Sequence, residues 1–363
     1  MTTQEEYDLV VYIGRFEPFH IAHSHTVRAG FEISDNVLVL VGSSHAPRSI
    51  KNPWTFEERK EFIANTFHDE YYNSGTKNLE IRGIRDYTYN DNAWIENVDI
   101  TVHEVIEELG AKKVAILGHD KDASSFYLNY FPQWKFIEMP LYPPHGDSVD
   151  ATHIRKLIFS NYVEFTRGVL PVPVFESLIK PETGFVFSPE FELLKREWKF
   201  VEDYKMSWAN APFPPIFTTV DAVVVQSGHI LLIQRGEFPG NGLWALPGGF
   251  LDVNERIRTA VIRELREETG LKIPPMVLNR AIDAKEIFDD PGRSTRGRTI
   301  THAFRITLDP TQKLPKVKGG DDAAHAKWVP LGDLKNMEDV MYEDHFHIIR
   351  HMLAKPKEIG MIQ

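Results

Sequence analysis

Three short runs of β-branched and aliphatic residues, Leu9 to Ile13, Val37 to Val41 and Val114 to Leu117, each stop at a glycine: Gly14, Gly42 and Gly118. A stretch of helical period follows each run. Strands that alternate with helices pair in parallel, because a parallel connection needs a crossover. The first half of the chain therefore predicts a doubly wound α/β sheet. Ligands of such sheets bind beyond the carboxyl ends of the strands, so three glycine-ended strands bring three loops to one crevice. One helix opens after Asn52-Pro53-Trp54, at Thr55, with Glu58 at the spacing of a capping box.

The texture then changes. Pro171, Pro173 and Pro181 interrupt regular structure, and Ser188-Pro189 reads as an N-cap followed by a first-turn proline. Phe191, Leu194, Trp198 and Val201 continue at helical spacing as far as Pro212, Pro214 and Pro215, where the joint is expected. Beyond it, Thr218 to Val225 and Ile230 to Gln234 flank a Ser227-Gly228 turn. A Gly/Pro-rich loop from Gly236 to Gly249 precedes an amphipathic helix that stops at Gly270. Later strands are expected over Thr299 to Ile306 and Ala326 to Val329, an α+β pattern. The expected division is a domain over 1–180, a helical connector over 181–215 and a second domain over 216–363.

Composition removes several alternatives. With 42% hydrophobic and 26% charged residues in 363, the chain can bury real cores. With no cysteine, thiolate metal sites, disulfides and cysteine nucleophiles are excluded. A net charge of −11 argues against duplex nucleic acid as a partner, which needs many phosphate contacts. Met1 to Asp8 are polar and acidic, unlike a signal peptide, and no apolar run approaches a membrane span. A soluble cytoplasmic protein, with no nucleic acid or membrane partner, is expected. Oligomeric state is left open.

The loop after the first strand reads Gly14-Arg15-Phe16-Glu17-Pro18-Phe19-His20-Ile21-Ala22-His23. Two imidazoles beside a helix N-terminus make a phosphate site, because the helix adds unpaired N–H groups and a dipole. Alone, two histidines at that spacing would mark no more than a surface turn. With the preceding Gly-Arg-Phe and the proline, the segment resembles the GxFxPxHxGH signature of the nucleotidylyltransferases, and within them the archaeal-type nicotinamide mononucleotide (NMN) adenylyltransferases. Ala22 stands where the signature has glycine. Asn52 to Thr55 with Arg59 resembles the family's NPFTxxER segment, and Asp86 to Trp94 its nicotinamide-side loop. The second signature, ISSTxxR, keeps Thr152 and Arg155 but loses both serines. The resemblance implies catalytic roles for Arg15, His20, His23 and Arg155. It implies substrate contacts for Gly14, Phe16, Arg59, Asp86, Trp94, Gly118, Asp120 and Thr152. Arg48 fits a surface ion pair at least as well as a phosphate contact.

A second cluster lies far along the chain. At 100° per residue, Glu264, Glu267 and Glu268 share one helix face, beside the apolar Val261, Ile262 and Leu265. Close carboxylates repel, and hard divalent cations relieve that repulsion. From Gly249 through Glu255, Arg263, Glu264, Glu267, Glu268 and Gly270 to Leu271, the spacing resembles the Nudix box GX5EX7REUXEEXGU at every defined position. The resemblance implies hydrolysis of a nucleoside diphosphate derivative with Mg²⁺, or Mn²⁺. Glu267 and Glu268 would be the main ligands, with Glu264, Glu255 and Gly249 completing the metal site, and Glu264 and Glu267 catalytic. Arg263 is expected to orient a glutamate. Arg296 and Arg298, near Arg293, are candidates for substrate contact, with solvated loop charge an equal alternative. Asp321 and Asp322 are weaker candidates for an acid or base. His345, His347 and His351 lack a distinctive ligand spacing.

Together the two halves resemble bifunctional adenylyltransferase–Nudix proteins. The implied substrates are ATP, NMN and ADP-ribose. Two rivals stand beside that reading. The first half would serve another phosphorylated acceptor, or the second would sense a nucleotide without hydrolysing it.

Overall fold

The computed structural model describes residues 6–68, 75, 77–119, 128, 130–140, 142 and 149–357. The chain forms two compact units, Met1–Lys195 and Arg196–Gln363. The division falls inside one helix, Pro189–Ser207. Phe191, Leu194 and Val201, on the apolar stripe of that helix, are buried.

The first unit runs β1 (Leu9–Gly14), α1 (Ile21–Ile33), β2 (Asn36–Val41), α2 (Phe56–Phe67), β3 (Asn78–Gly83), α3 (Asp91–Leu109), β4 (Val114–Gly118), β5 (Lys135–Glu138), α4 (Ala151–Phe159) and α5 (Val172–Ile179), and α6 is the shared helix Pro189–Ser207. Its five strands are parallel in the order β3-β2-β1-β4-β5. The order reverses beside β1, at the kind of switch point where α/β sheets bind ligands. β1 and β2 are buried on both faces, which is why they read as continuous apolar runs. Leu9, Val11 and Ile13 meet Val98, Val102 and Val105 of α3 on one face. Burying each such side chain is worth about 1.5–3 kcal/mol. The capping box of α2 is present, with Glu58 N–H donating to Thr55 Oγ1 and Thr55 N–H to the Glu58 carboxylate.

The second unit continues with β6 (Phe217–Gln226), β7 (His229–Arg235), β8 (Trp244–Ala245), β9 (Gly248–Phe250), α7 (Ile257–Thr269), α8 (Pro275–Arg280), β10 (Ile282–Phe288), β11 (Thr299–Thr307), β12 (Ala323–Pro330) and α9 (His345–Ala354). Its mixed sheet follows β10-β11-β6-β7-β12, with β8 beside β7 and β9 beside β6. The stretch expected as a loop before α7 thus contains two short strands, and β9 places Gly248 and Gly249 against Asp221 and Val220. Val220, Ala222 and Val224 pack on Val261 and Leu265 of α7. Alternation sends Asp221 to the other face, where His345 of α9 lies 4.0 Å away. Among the described residues, no helix is long and apolar enough to cross a membrane.

Candidate active sites

The first site lies at the carboxyl ends of β1 and β2. Phe16 has φ 57° and folds its ring back over Gly14. A Cβ at Gly14 would stand 2.7 Å from that ring, so only glycine fits there. The Phe16 ring packs against Tyr12, Phe19 and His23 and is 2% exposed. The ring thus shapes the loop by packing. His20 precedes α1, and its ring stacks on His23 with centroids 3.5 Å apart. The backbone N–H of His20 donates to His23 Nδ1. A neutral His23 therefore carries its proton on Nε2, where it is a donor.

The arginines divide sharply. Arg15 is exposed at the loop, and Arg155 reaches in from α4, donating to the Glu17 carbonyl at 2.5 Å and to Thr152 Oγ1 at 3.2 Å. Arg59 is 1% exposed. It donates to the carbonyls of Thr55, Arg15, Gly42 and Ser43, and lies 3.1 Å from Glu17 Oε1. Its donors are thus committed to the backbone of two loops. Arg48 pairs bidentately with Glu58, as a surface ion pair.

The remaining positions fall into place around these. Asp86 accepts from Ser43 N–H and so fixes the turn after β2. Trp94 is half-buried at the start of α3, with its ring 6.2 Å from Phe131. Gly118 ends β4 beneath Leu128, and the neighbouring His119 bonds the Met139 carbonyl. Asp150 caps α4 by accepting from Thr152 N–H, where the family signature has serine. Asp120 lies outside the described residues. Sequence reasoning missed Glu17, which is 3% exposed and stands at an undefined position of the signature. The signal available was an acidic residue inside a loop otherwise built for anions.

The second site lies where β9 meets α7. A Cβ at Gly249 would approach Glu264 Oε1 to 2.6 Å, so a larger residue there would displace the Glu264 carboxylate. Arg263 donates from Nε to Glu255 at 3.1 Å and from Nη1 to Glu264 at 2.8 Å and Glu267 at 3.0 Å. One guanidinium thus gathers three of the four glutamates expected as ligands. Glu268 is 1% exposed and accepts from Gly248 N–H at 2.7 Å. Burial pushes its carboxyl up to about 10, and the nearby Asp322 adds to the shift. Burial also raises Glu264. Four carboxylates in one place, two of them disfavoured as anions by burial, have the chemistry of a hard-cation site. Among the described residues, however, no three such groups already surround a common point. Arg263 holds the oxygens that a cation would take.

The basic residues beyond the box are less uniform than expected. Arg296 lies 4.8 Å over the Phe250 ring, next to Gly249. Arg298 instead donates to the Asp289 carbonyl, as a brace of its own loop. Arg293 is buried in a bidentate pair with Asp344 at 2.9 and 3.0 Å. His345 accepts from Leu246 N–H through Nδ1, and burial depresses it to about 3, so it is a neutral structural imidazole.

Comparison with known proteins agrees with both halves. The Cytidylyltransferase-like family profile matches residues 11–135, and the NUDIX domain profile matches residues 216–352. A crystal structure of a bifunctional NMN adenylyltransferase/ADP-ribose pyrophosphatase from Francisella tularensis, complexed with AMP and Mn ion, is 35% identical. It covers 96% of this chain and 98% of its own, with a TM-score of 0.86. The nicotinamide/nicotinic acid mononucleotide adenylyltransferase of Acinetobacter baylyi is 35% identical over 44% of this chain and 79% of that protein. The ADP-ribose pyrophosphatase of Methanocaldococcus jannaschii is 35% identical over 36% of this chain and 69% of that protein.

Proposed function

We propose how two reactions are divided within this chain, which belongs to the family of bifunctional NMN adenylyltransferase/ADP-ribose pyrophosphatases. The first unit is an NMN adenylyltransferase and the second a Nudix ADP-ribose pyrophosphatase. In the first reaction, an oxygen of the NMN phosphate attacks the α-phosphorus of ATP, and the bond to pyrophosphate breaks. The nucleophile is already an anion, so no side chain must activate it. Catalysis reduces to alignment and charge neutralisation. His20 and His23 at the start of α1, Arg15 above the loop and Arg155 from α4 meet that need. Trp94 and Asp86 sit on the side where the nicotinamide would lie.

In the second reaction, water attacks the pyrophosphate of ADP-ribose, giving AMP and ribose 5-phosphate. Divalent cations, Mg²⁺ in this reading, neutralise the pyrophosphate and polarise it. Glu267 and Glu268 would hold them, with Glu264, Glu255 and the Gly249 backbone alongside. Arg263 must then yield part of its grip, and it is the residue that keeps the glutamates oriented. Arg296 on Phe250 is placed for the distal part of the substrate.

The observation that carries this reading is the convergence of one set of donors on the β1–α1 loop and one set of carboxylates on α7, within a single chain. The test is direct. Protein with ATP, Mg²⁺ and NMN should form NAD, quantified by chromatography, and His20→Ala should form it about 10²-fold more slowly. The same preparation should release AMP from ADP-ribose. NAD made equally by His20→Ala would sink the assignment of the first site.

A further inference from the structure

Glu17 is a carboxyl buried among cations. Its Oε1 lies 3.1 Å from Arg59 Nε, yet that N–H points at the Thr55 carbonyl, so Oε1 accepts no hydrogen bond. Its Oε2 accepts a long bond from Trp54 N–H, at 3.4 Å. Three guanidinium groups bear on it: Arg59 from α2, Arg155 from α4 and Arg15 from its own loop. Its backbone carbonyl receives Arg155. Arg59, its ion-pair partner, holds the carbonyls of Arg15, Gly42 and Ser43.

We propose that Glu17 is a positioning residue for adenylyl transfer: its carboxylate holds Arg59, and through Arg59 the loops that carry Arg15 and Ser43, while its carbonyl holds Arg155. The inference rests on the assignment of the first site given above. A buried guanidinium stays charged, since its proton is not lost in proteins. It therefore needs a counter-charge, and removing one member of a buried pair leaves the other uncompensated. Neutralising Glu17 slackens the clamp and lets the loop cations drift, and misplacement of about 1 Å costs roughly 10²-fold in rate. Burial pushes the Glu17 carboxyl up to about 8, against the pull of Arg59. The clamp is thus made as pH rises through that value and loosened as pH falls below it.

The experiment is a pH profile from 6 to 9 of NAD formation, comparing wild type with Glu17→Gln. ADP-ribose hydrolysis by the same molecules checks the second unit, and thermal melting checks the first. Wild-type kcat should rise along a limb near pH 8. Glu17→Gln should be flat, about 10²-fold slower at pH 9 and close to wild type at pH 6. A wild-type profile in Glu17→Gln overturns the proposal. So does a slower enzyme with its limb intact, which would mark Glu17 as packing alone. If melting shows that Glu17→Gln does not fold, Glu17→Asp carries the test, with a displaced limb expected and an unmoved one overturning it. Calorimetric ATP binding, which needs no acceptor, separates this inference from the reading it rests on. ATP should bind more weakly to Glu17→Gln than to wild type at pH 9 and equally at pH 6, whichever acceptor is used. Equal affinity at pH 9 would count against Glu17 itself.

Discussion

The two sites handle the same kind of bond with opposite endowments. The first presents cations of its own, Arg15 and Arg155, with two stacked imidazoles beneath. The second presents anions, Glu255, Glu264, Glu267 and Glu268, gathered by a single arginine. A site that supplies positive charge can receive phosphates directly. A site of carboxylates repels them until cations intervene. The contrast predicts that the first site answers to its side chains and the second to the solution around it.

The sharpest way to break that contrast is Glu267→Gln. Hydrolysis of ADP-ribose should fall by about 10³-fold or more, since the cation it is proposed to help hold would supply several kcal/mol of transition-state stabilisation. NAD synthesis by the same variant should stay at the wild-type rate. Equal loss of both would mean that the units are not independent in chemistry. Next in size is Asp344→Ala, which strips the partner from buried Arg293. Breaking a buried pair costs about 3–5 kcal/mol, so the melting of the second unit should drop steeply while the first is spared. His20→Ala should then slow NAD formation by about 10²-fold, in line with loss of one aligned donor, and leave hydrolysis intact. Smallest is Arg48→Ala, at the half-exposed pair with Glu58, where equilibrium unfolding should move by under about 1 kcal/mol.

Most of this contrast was legible in the chain itself, for a physical reason. Both sites sit on local segments whose residue types and spacing are fixed by one turn and one helix. His20 and His23 share a helix start, and Glu264, Glu267 and Glu268 share a helix face, so periodicity alone brings them together. What the sequence does not show are the contacts decided by packing across distance. Spacing gives no sign that the carbonyls of Arg15, Gly42 and Ser43 surround Arg59. Nor does it show that the Phe16 ring lies over Gly14. Arg293 looks like a solvated loop charge, and only the fold brings Asp344 to it from 51 residues away. The strands β3, β5 and β10 escaped notice because they carry charged residues among their apolar ones, as edge and near-edge positions allow.

The ring of Phe16, wedged over Gly14 and braced by Tyr12, Phe19 and His23, has a thermodynamic consequence. The loop's shape is set by aromatic packing in the free protein, with its left-handed residue locked by neighbours rather than by a ligand. A nucleotide arriving there has little chain to order. The entropy lost on binding at this loop falls on the ligand and its hydration, and affinity is spent on holding phosphates instead of assembling the cradle that holds them.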